Sequence, residues 1–209
     1  MLNPEIISLN IGKPEPLLSE GREVLSSIKK KATSKPLFLS KEQIDGDDQA
    51  DKVNHGGLDK AICVYPFEHY TFWERELGKK LELGAFGENL TVKGLIERDV
   101  HVGDLFQWGN ARVQVSQPRI PCHKLASRFQ LESMPKHVIK TGFTGFYFRV
   151  LNEGTVSSNM PMKFIKRYSS VSVTDVNDGF YKKQGAIANK IIINTPELAA
   201  SWKQMMNKE

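Results

Sequence analysis

Residues 112–124 read Arg112-Val113-Gln114-Val115-Ser116-Gln117-Pro118-Arg119-Ile120-Pro121-Cys122-His123-Lys124. The alternation of valine with polar residues over 112–116 predicts a β-strand. The prolines that follow fix φ and lack N–H donors, so residues 117–124 are predicted to form a stiff loop that leaves this strand directly. Cysteine in such a loop is expected to be accessible rather than packed in the core.

The surroundings of Cys122 are positively charged, because Arg119, His123 and Lys124 are its neighbours in sequence. Nearby cations favour thiolate over thiol, which makes the sulfur a better nucleophile or a better ligand for a soft metal. Adjacent side chains of an extended segment point to opposite sides, so His123 is a poor candidate for the general base of this thiol. A zinc site built from Cys122 and His55 lacks further ligands at a recognisable spacing.

The chain has 209 residues, of which 40% are hydrophobic and 25% are charged. This allows one domain with a hydrophobic core and a small appendage. The net charge of +5 indicates an anionic partner, and a phosphate-bearing cofactor satisfies this as well as a nucleic acid does. No apolar run is long enough to cross a bilayer, and the first residues lack a basic leader, so we expect a cytoplasmic protein.

Only two cysteines occur, and nothing in the sequence indicates secretion, so both thiols are expected to be reduced. The second cysteine lies in the apolar run Ala61-Ile62-Cys63-Val64-Tyr65. Cysteine in such a run usually behaves as a small buried hydrophobe, and we interpret Cys63 in this way.

Short strand-like segments separated by Gly, Pro, Asp and Asn turns dominate most of the chain. They cover residues 5–11, 23–28, 37–39, 61–65, 90–92, 104–108, 112–116, 146–151 and 162–168. This pattern predicts a mainly β chain with a closed or nearly closed β-barrel rather than alternating βαβ units.

One helix is predicted among these strands. Pro66 is suited to its first position, and Gly78 is expected to end it. Between them, Tyr70, Trp73 and Leu77 follow one another at helical spacing.

The pattern changes near residue 171 and indicates a small helical segment. Thr174-Asp175 is predicted to begin one helix, and Thr195-Pro196-Glu197 to cap another with Leu198, Trp202, Met205 and Met206 on one face. A partner-binding stripe is one interpretation of these Trp and Met residues, but packing against the barrel is favoured. We therefore expect a barrel domain over residues 1–168 and two or three helices over residues 171–209.

Three glycine-containing loops accompany the cysteine, at residues 55–60, 86–90 and 141–145. Glycine lets successive backbone N–H groups converge on an anion, and His55 and Lys60 add charge to the first loop. The sequence contains no P-loop, G-x-G-x-x-G, G-x-S-x-G, H-E-x-x-H or paired C-x-x-C motif, so the commonest nucleotide, hydrolase and zinc functions lack support.

Four blocks in this order resemble the MOSC domain family, named for the C-terminal domain of molybdenum cofactor sulfurases, and in particular its stand-alone bacterial YiiM-like branch. They are Lys52-Val53-Asn54-His55-Gly56-Gly57, Phe86-Gly87-Glu88-Asn89-Leu90, Gly103-Asp104 and Gln117-Pro118-Arg119-Ile120-Pro121-Cys122-His123-Lys124-Leu125. The resemblance implies a MOSC-type β-barrel followed by a small C-terminal segment of three helices.

The resemblance also implies a site for the molybdenum cofactor (molybdopterin), with Cys122 as the catalytic residue and molybdenum ligand. Matched to the family's blocks, the residues expected at the cofactor or substrate pocket are His55, Gly56, Gly57, Lys60, Glu88, Asn89, Gln117, Arg119 and Lys124. Relatives of this type reduce N-hydroxylated compounds, including N-hydroxylated bases. The expected substrate is therefore a small N-hydroxylated molecule, with no nucleic-acid or membrane partner.

The chain departs from full-length sulfurases because it has no pyridoxal-phosphate domain. It has no cysteine cluster for an iron–sulfur centre and no flavin motif, so a reductase requires an external electron-donor protein. Two alternatives stay open. One is a sulfur carrier or cofactor-handling protein with a persulfide on Cys122, and the other is a binding module in which the cysteine is incidental.

Overall fold

The computed structural model describes residues 2–19, 21–182 and 185–207. Eight strands form one curled, half-barrel sheet in the order β12-β8-β9-β10-β6-β7-β1-β4, in which only the β6–β7 pair is parallel. Two further pairs, β5–β11 and β2–β3, are antiparallel. The strands in the described part of the chain are β1 (Glu5–Ile11), β2 (Glu15–Ser19), β3 (Arg22–Ser26), β4 (Lys31–Thr33), β5 (Leu37–Leu39), β6 (Ile62–Pro66), β7 (Leu90–Lys93), β8 (Leu105–Trp108), β9 (Ala111–Pro118), β10 (Phe146–Asn152), β11 (Gly154–Val156) and β12 (Met162–Lys166).

Helices lie between the strands and at the C-terminal end. Over the described residues they are α1 (Lys52–His55), a 3₁₀ turn (Leu58–Lys60), α2 (Glu68–Leu77), α3 (His123–Phe129), α4 (Met134–Thr141), α5 (Val173–Tyr181), α6 (Ala186–Ile193) and α7 (Ala200–Met206). None of the helices in the described residues is long and apolar enough to cross a membrane.

Strand alternation decides which side chains fill the sheet's core and which face the other side. On β6, Ile62 and Val64 are fully buried in the main core, with Phe146 and Phe148 of the neighbouring β10. Each such side chain contributes about 1.5–3 kcal/mol when it is removed from water. The intervening Cys63 therefore projects from the opposite face of the sheet, where the functional site lies.

All nine predicted strands are present, and each predicted end lies within two residues of the observed one. The sequence did not reveal β2, β4 and β11. Pro16 interrupts the alternation of β2, and the other two strands have only three residues each, too few to show a period.

The predicted helix is confirmed as α2, and its end at Gly78 is confirmed by a left-handed φ of 63°. Its predicted start is wrong, because Pro66 is the last residue of β6 and the helix begins at Glu68. The structure adds α3 and α4 between β9 and β10, which the sequence had not indicated.

The predicted loop at residues 117–124 is shorter than expected. Strand β9 continues through Pro118, which needs no N–H donor at the strand's last position, and α3 begins at His123. Only residues 119–122 are loop, and Cys122 is the N-cap of α3. The cysteine thus lies at a loop-to-helix junction.

Within the described residues, three helices follow the barrel, where the sequence predicted two or three. Trp202 and Met206 are buried against Val102 and Val171, which confirms that they pack rather than form an exposed stripe. Helix α5 begins after the N-cap Ser172, whose side chain forms a capping box with Asp175.

The predicted start of the last helix is wrong. Residues 195–198 form a turn in which the Leu198 N–H donates to the Thr195 carbonyl at 3.2 Å, and α7 begins only at Ala200. The division of the chain into 1–168 and 171–209 stays a hypothesis.

Candidate functional site

A pocket opens on the outer face of the sheet, beside the end of β9. It holds about 590 Å³ of empty space, including the mouth that opens to solvent. The lining residues are Ser26, Ser27, Ile28, Lys30, Asp47, Asp48, Gln49, Ala50, Asp51, His55, Lys60, Cys63, Gly87, Asn89, Arg119, Cys122, Lys124 and Tyr147.

The structure brings most of the residues predicted for the site to this pocket. His55, Lys60, Asn89, Arg119, Cys122 and Lys124 all line it. Gly56, Gly57, Glu88 and Gln117 are not among the lining residues. The predicted set therefore divides into residues that face the pocket and residues that lie beside or behind it.

Arg119 is a buried cation of the pocket, with 7% of its surface exposed. Its Nη2 donates to the Phe86 carbonyl at 2.6 Å, and its backbone N–H donates to the Gly145 carbonyl at 3.1 Å. Burial disfavours the charge, but the acidic groups around the guanidinium, Cys63 foremost, outweigh burial and raise the pKa of Arg119 above its ordinary value. Arg119 is a fixed positive charge beside the pocket's thiols.

Cys122 is partly exposed and has extended backbone angles, φ −104° and ψ 165°. Its carbonyl accepts the Leu125 N–H at 3.1 Å, which closes the first turn of α3, while its side chain makes no capping hydrogen bond. The thiol is thus available to a ligand in the pocket. The neighbouring His123 is exposed and is not among the lining residues.

Cys63 is buried, as predicted, but it lies at the pocket rather than in the core. Its N–H donates to Asn89 Oδ1 at 3.1 Å, and it pairs across the strands with Tyr147. Burial raises the pKa of the Cys63 thiol to about 11, with a smaller opposing effect of Arg119. This sulfur is therefore protonated at neutral pH.

Glu88 lies behind the pocket and is fully buried. Its carboxylate accepts from the Tyr70 hydroxyl at 2.5 Å and from the Thr91 hydroxyl at 2.8 Å. It also accepts the Gly84 and Phe86 N–H groups at 3.2 and 3.1 Å. Desolvation raises the pKa of Glu88, and these donors and the charge of Arg119 oppose the shift. Glu88 thus holds the glycine loop and supplies a buried countercharge for Arg119.

Asn89 combines a place in the pocket wall with a structural role. Besides binding the Cys63 N–H, it donates through Nδ2 to Asp47 Oδ2 at 2.8 Å and to the Asn10 carbonyl at 3.3 Å. Asp47 in turn forms a buried ion pair with Lys30. Most of the hydrogen-bonding capacity of Asn89 is therefore used inside the protein.

Gly87 explains why the loop before Asn89 contains glycine. Its φ is +79°, and a Cβ at this position would lie 2.9 Å from the Ile28 side chain. Both the backbone angle and the close approach of residue 28 exclude larger residues.

His55 and Lys60 also line the pocket. Desolvation, followed by the charges of Lys124 and Arg119, lowers the pKa of His55 to about 4, so the imidazole is neutral at pH 7. Desolvation also lowers the pKa of Lys60. A neutral imidazole can both accept and donate a hydrogen bond to a ligand.

Gln117 faces the C-terminal helices. It is buried, its Oε1 accepts from the Ser201 hydroxyl at 3.4 Å, and its Nε2 donates to the Pro118 carbonyl at 3.4 Å. Gly57 is exposed with φ 99°, and the Gly56 N–H donates to the Lys52 carbonyl at 3.2 Å.

Sequence reasoning missed Tyr147 and the wall formed by Lys30 and Asp47. Tyr147 lies between the core residues Phe146 and Phe148, so strand alternation alone placed it on the outer face with Cys63. No local pattern marks Lys30 or Asp47, because they meet only through tertiary structure. In the described part of the chain, no group of three or more His, Cys, Asp or Glu side chains is placed to hold a metal ion.

The curled, mainly β fold and its pocket define a small half-barrel protein with an accessible cysteine beside a buried guanidinium. A model described as the MOSC domain matches residues 51–163, and the chain belongs to this family. Every residue that was predicted for the site lies within that range.

The chain is also similar to individual proteins of known sequence or structure. The uncharacterized protein YflK of Bacillus subtilis (strain 168) is 45% identical over 206 residues, which span 98% of this chain and 93% of that protein. The crystal structure of YiiM from Geobacillus stearothermophilus is similar with a TM-score of 0.82 and 40% sequence identity, covering 98% of each chain. A protein of Gibberella moniliformis (strain M3125 / FGSC 7600) named reductase is 35% identical over 161 residues, which span 75% of this chain but 28% of that protein.

Proposed function

We propose that this protein binds the molybdenum cofactor in its pocket, with Cys122 as the thiolate ligand, and reduces small N-hydroxylated molecules. The observation that carries the proposal is an accessible cysteine at the start of a helix, beside the buried Arg119 in a pocket that opens to solvent. When bound, the cofactor supplies the two-electron reduction of an N–O bond.

The donor set of the pocket fits this group. A thiolate is the soft ligand that suits a metal already held by sulfur, and Cys122 is the accessible one of the two thiols. Lys60, Lys124 and Arg119 line the same space, and their charges suit the phosphate of the pterin. The oxygens of Asp48 and Gln49, also in the lining, can accept from donor groups of a heterocycle.

The residues of the chain bind and orient the ligand, and they do not transfer electrons. Arg119 stays charged and attracts an anionic group, while the neutral His55 can accept a hydrogen bond from an N–O–H group. Burial raises the pKa of Tyr147, so its phenol remains a hydrogen-bond donor on the pocket floor. Reduction of an N-hydroxyl group to an amine consumes two electrons and two protons and releases water.

The electrons come from a separate donor, because the chain has only two cysteines and no flavin motif. Membership in the MOSC family and the relative named reductase support the proposal at the level of the class. Much of that relative lies outside the similar part, which leaves room there for further domains. Reduced thiols are consistent with a cytoplasmic location.

The test is metal and pterin content of protein purified from a host that makes the cofactor. We expect wild type and Cys63→Ser to contain molybdenum and to reduce an N-hydroxylated base with a chemical electron donor. Cys122→Ser should lose the metal and lower the activity by about a hundredfold or more, because a hydroxyl is a harder and far less acidic ligand.

Retention of both molybdenum and activity in Cys122→Ser would refute the ligand role. If wild type binds no cofactor and instead accepts a persulfide on Cys122, the sulfur-carrier alternative replaces the proposal. Mass spectrometry of the intact protein detects the added sulfur directly.

A further inference from the structure

A loop of four residues, Gly142-Phe143-Thr144-Gly145, of which the last two are buried, contacts Arg119. The Gly145 carbonyl accepts both the Arg119 N–H at 3.1 Å and the Thr144 hydroxyl at 2.9 Å. Gly145 has φ +71°, and a Cβ there would lie 2.4 Å from the Val64 carbonyl, so this peptide has little freedom to move. The position of Gly145 thus sets where the chain of Arg119 leaves β9.

One side of this loop is fixed by a buried carboxylate. Glu97 is 4% exposed, and its Oε1 accepts the Gly145 N–H at 2.7 Å. Its Oε2 lies 2.7 Å from His69 Nε2, and the His69 ring stacks on Phe143 with centroids 3.8 Å apart. Helix α2 and Glu97 therefore hold both ends of the loop.

The other side is fixed by the C-terminal helices. Asn177 of α5 donates through Nδ2 to the Thr144 hydroxyl at 2.9 Å, and both side chains are almost fully buried, at 3% and 1% exposure. The first turn of α5 is itself tied to the barrel, since the Thr174 N–H donates to the Glu97 carbonyl at 3.1 Å. The Thr144 hydroxyl accepts from α5 and donates to Gly145, so it joins the helix to the peptide that holds Arg119.

We propose that Thr144, Asn177 and Glu97 are positioning residues for Arg119, and that the C-terminal helical segment thereby supports the wall of the pocket from behind. In this network Asn177 Nδ2, the Thr144 hydroxyl and both Glu97 oxygens have partners, whereas Asn177 Oδ1 has none within the described residues. Such buried contacts favour one arrangement, and removal of the Thr144 hydroxyl leaves Asn177 Nδ2 unpaired as well. This inference deepens the proposed function and rests on it for the identity of the ligand, but the placement of Arg119 can be measured without any cofactor.

The charge beside Cys122 can be measured with two alkylating reagents of similar size. The rate with anionic iodoacetate depends on the nearby guanidinium more than the rate with neutral iodoacetamide. We expect Thr144→Val to lower the iodoacetate-to-iodoacetamide rate ratio at Cys122 by about threefold, because Arg119 moves away from the sulfur. Thr144→Ser keeps the hydroxyl and should restore the wild-type ratio.

Two further variants complete the design. Asn177→Ala should lower the ratio in the same direction, and its effect should not add to that of Thr144→Val, because both break one network. Thr195→Val is the matched control, since the Thr195 hydroxyl is also in the C-terminal segment but donates to the Ile191 carbonyl. It should leave the ratio unchanged.

An unchanged ratio in folded Thr144→Val or in folded Asn177→Ala overturns the inference, as does a failure of Thr144→Ser to restore it. Absence of molybdenum in wild type together with a lowered ratio in Thr144→Val refutes the proposed function and supports the inference. In a cofactor-loaded enzyme, the same variants should raise KM with a smaller change in kcat.

Discussion

Cys63 and Cys122 line the same pocket but belong to two different kinds of structure. Cys63 lies in the middle of the sheet, on a strand hydrogen-bonded on both sides, and is buried. Cys122 ends a loop of four residues and caps a helix, and it is partly exposed. The comparison teaches that access and surrounding charge, rather than membership of a pocket, decide which thiol can act.

The two regions also differ in what holds them. The backbone of Cys63 is fixed by Asn89, which is itself tied to Asp47. The segment before Cys122 is fixed at Arg119 by a peptide of another loop. Both arrangements depend on residues distant in sequence, but the first uses a side-chain amide and the second a backbone carbonyl.

The largest expected effect is the difference in alkylation rate between the two thiols. A thiol with a pKa of about 11 is ionised to only about 0.03% at pH 7.5, so Cys63 should react at least about a hundredfold more slowly than Cys122 with iodoacetamide. As pH rises, the thiolate fraction of Cys63 grows, and its rate should increase nearly tenfold per unit up to pH 10. Mass spectrometry of digested protein gives both rates from one sample.

Unfolded protein is the control, because both cysteines should then react at similar rates. Equal rates in the folded state would show that the difference in access and burial has no chemical consequence.

Several elements of this comparison could be predicted from the sequence. The alternation of residues in β9 predicted the strand. The prolines and cations around Cys122 predicted an accessible thiol with positively charged surroundings. The apolar run around Cys63 gave its burial. These predictions succeeded because each depends on neighbours in sequence, where period and charge can be read directly.

The remaining features depend on distant residues and could not be read in this way. Glu88 was expected to line the pocket, but the sequence cannot distinguish a carboxylate that faces a ligand from one that accepts hydrogen bonds from four internal donors. Tyr147 was missed because its role depends on pairing between β6 and β10. The start of α3 was missed because Pro118 and Pro121 read as a loop, although the second precedes a helix N-cap.

The second largest effect concerns Arg119, which is coupled to both thiols. Arg119→Met should lower the rate of iodoacetate at Cys122 by about tenfold and leave Cys63 slow, because the attraction for the anionic reagent is lost. It should also lower the free energy of unfolding by about 2 kcal/mol, since Glu88 loses its buried countercharge. Arg112→Met, at an exposed position of β9, is the control and should change neither quantity.

A guanidinium that only fills space would give a different result. In that case Arg119→Met would reduce stability but leave the iodoacetate rate unaltered, and the charge argument for this side of the pocket would be wrong.

A smaller effect is expected when the C-terminal segment is removed. We predict that a chain ending at Val171 still unfolds cooperatively, at a lower temperature, because Val102 loses its cover. The Ala199 N–H and the Ser201 hydroxyl contact β9 at Ser116 and Gln117, so the rate ratio of the two reagents at Cys122 should change by about threefold. The same rate ratio at Cys63 should change less.

The truncated chain is followed by circular dichroism on heating and by the same alkylation assay. Loss of a cooperative transition would show that the segment belongs to the core and that the boundary near residue 170 is wrong.

The smallest effect is a pH dependence of stability that arises on the Cys122 side of the pocket. Burial and the charges of Lys124 and Arg119 hold the pKa of His55 near 4, below the ordinary 6.5. Between pH 6.5 and 4, His55 is therefore protonated in the unfolded chain but still neutral in the folded chain. The free energy of unfolding consequently falls as the pH is lowered. Because the side chain is partly exposed, we expect this loss to be at most about 2 kcal/mol. His55→Gln should remove this pH dependence, which urea unfolding at pH 7 and pH 4.5 can measure.

The matched control is His123→Gln, at an exposed position next to the cysteine. Identical pH dependence in wild type and His55→Gln would mean that the cationic wall around Cys122 does not act on His55.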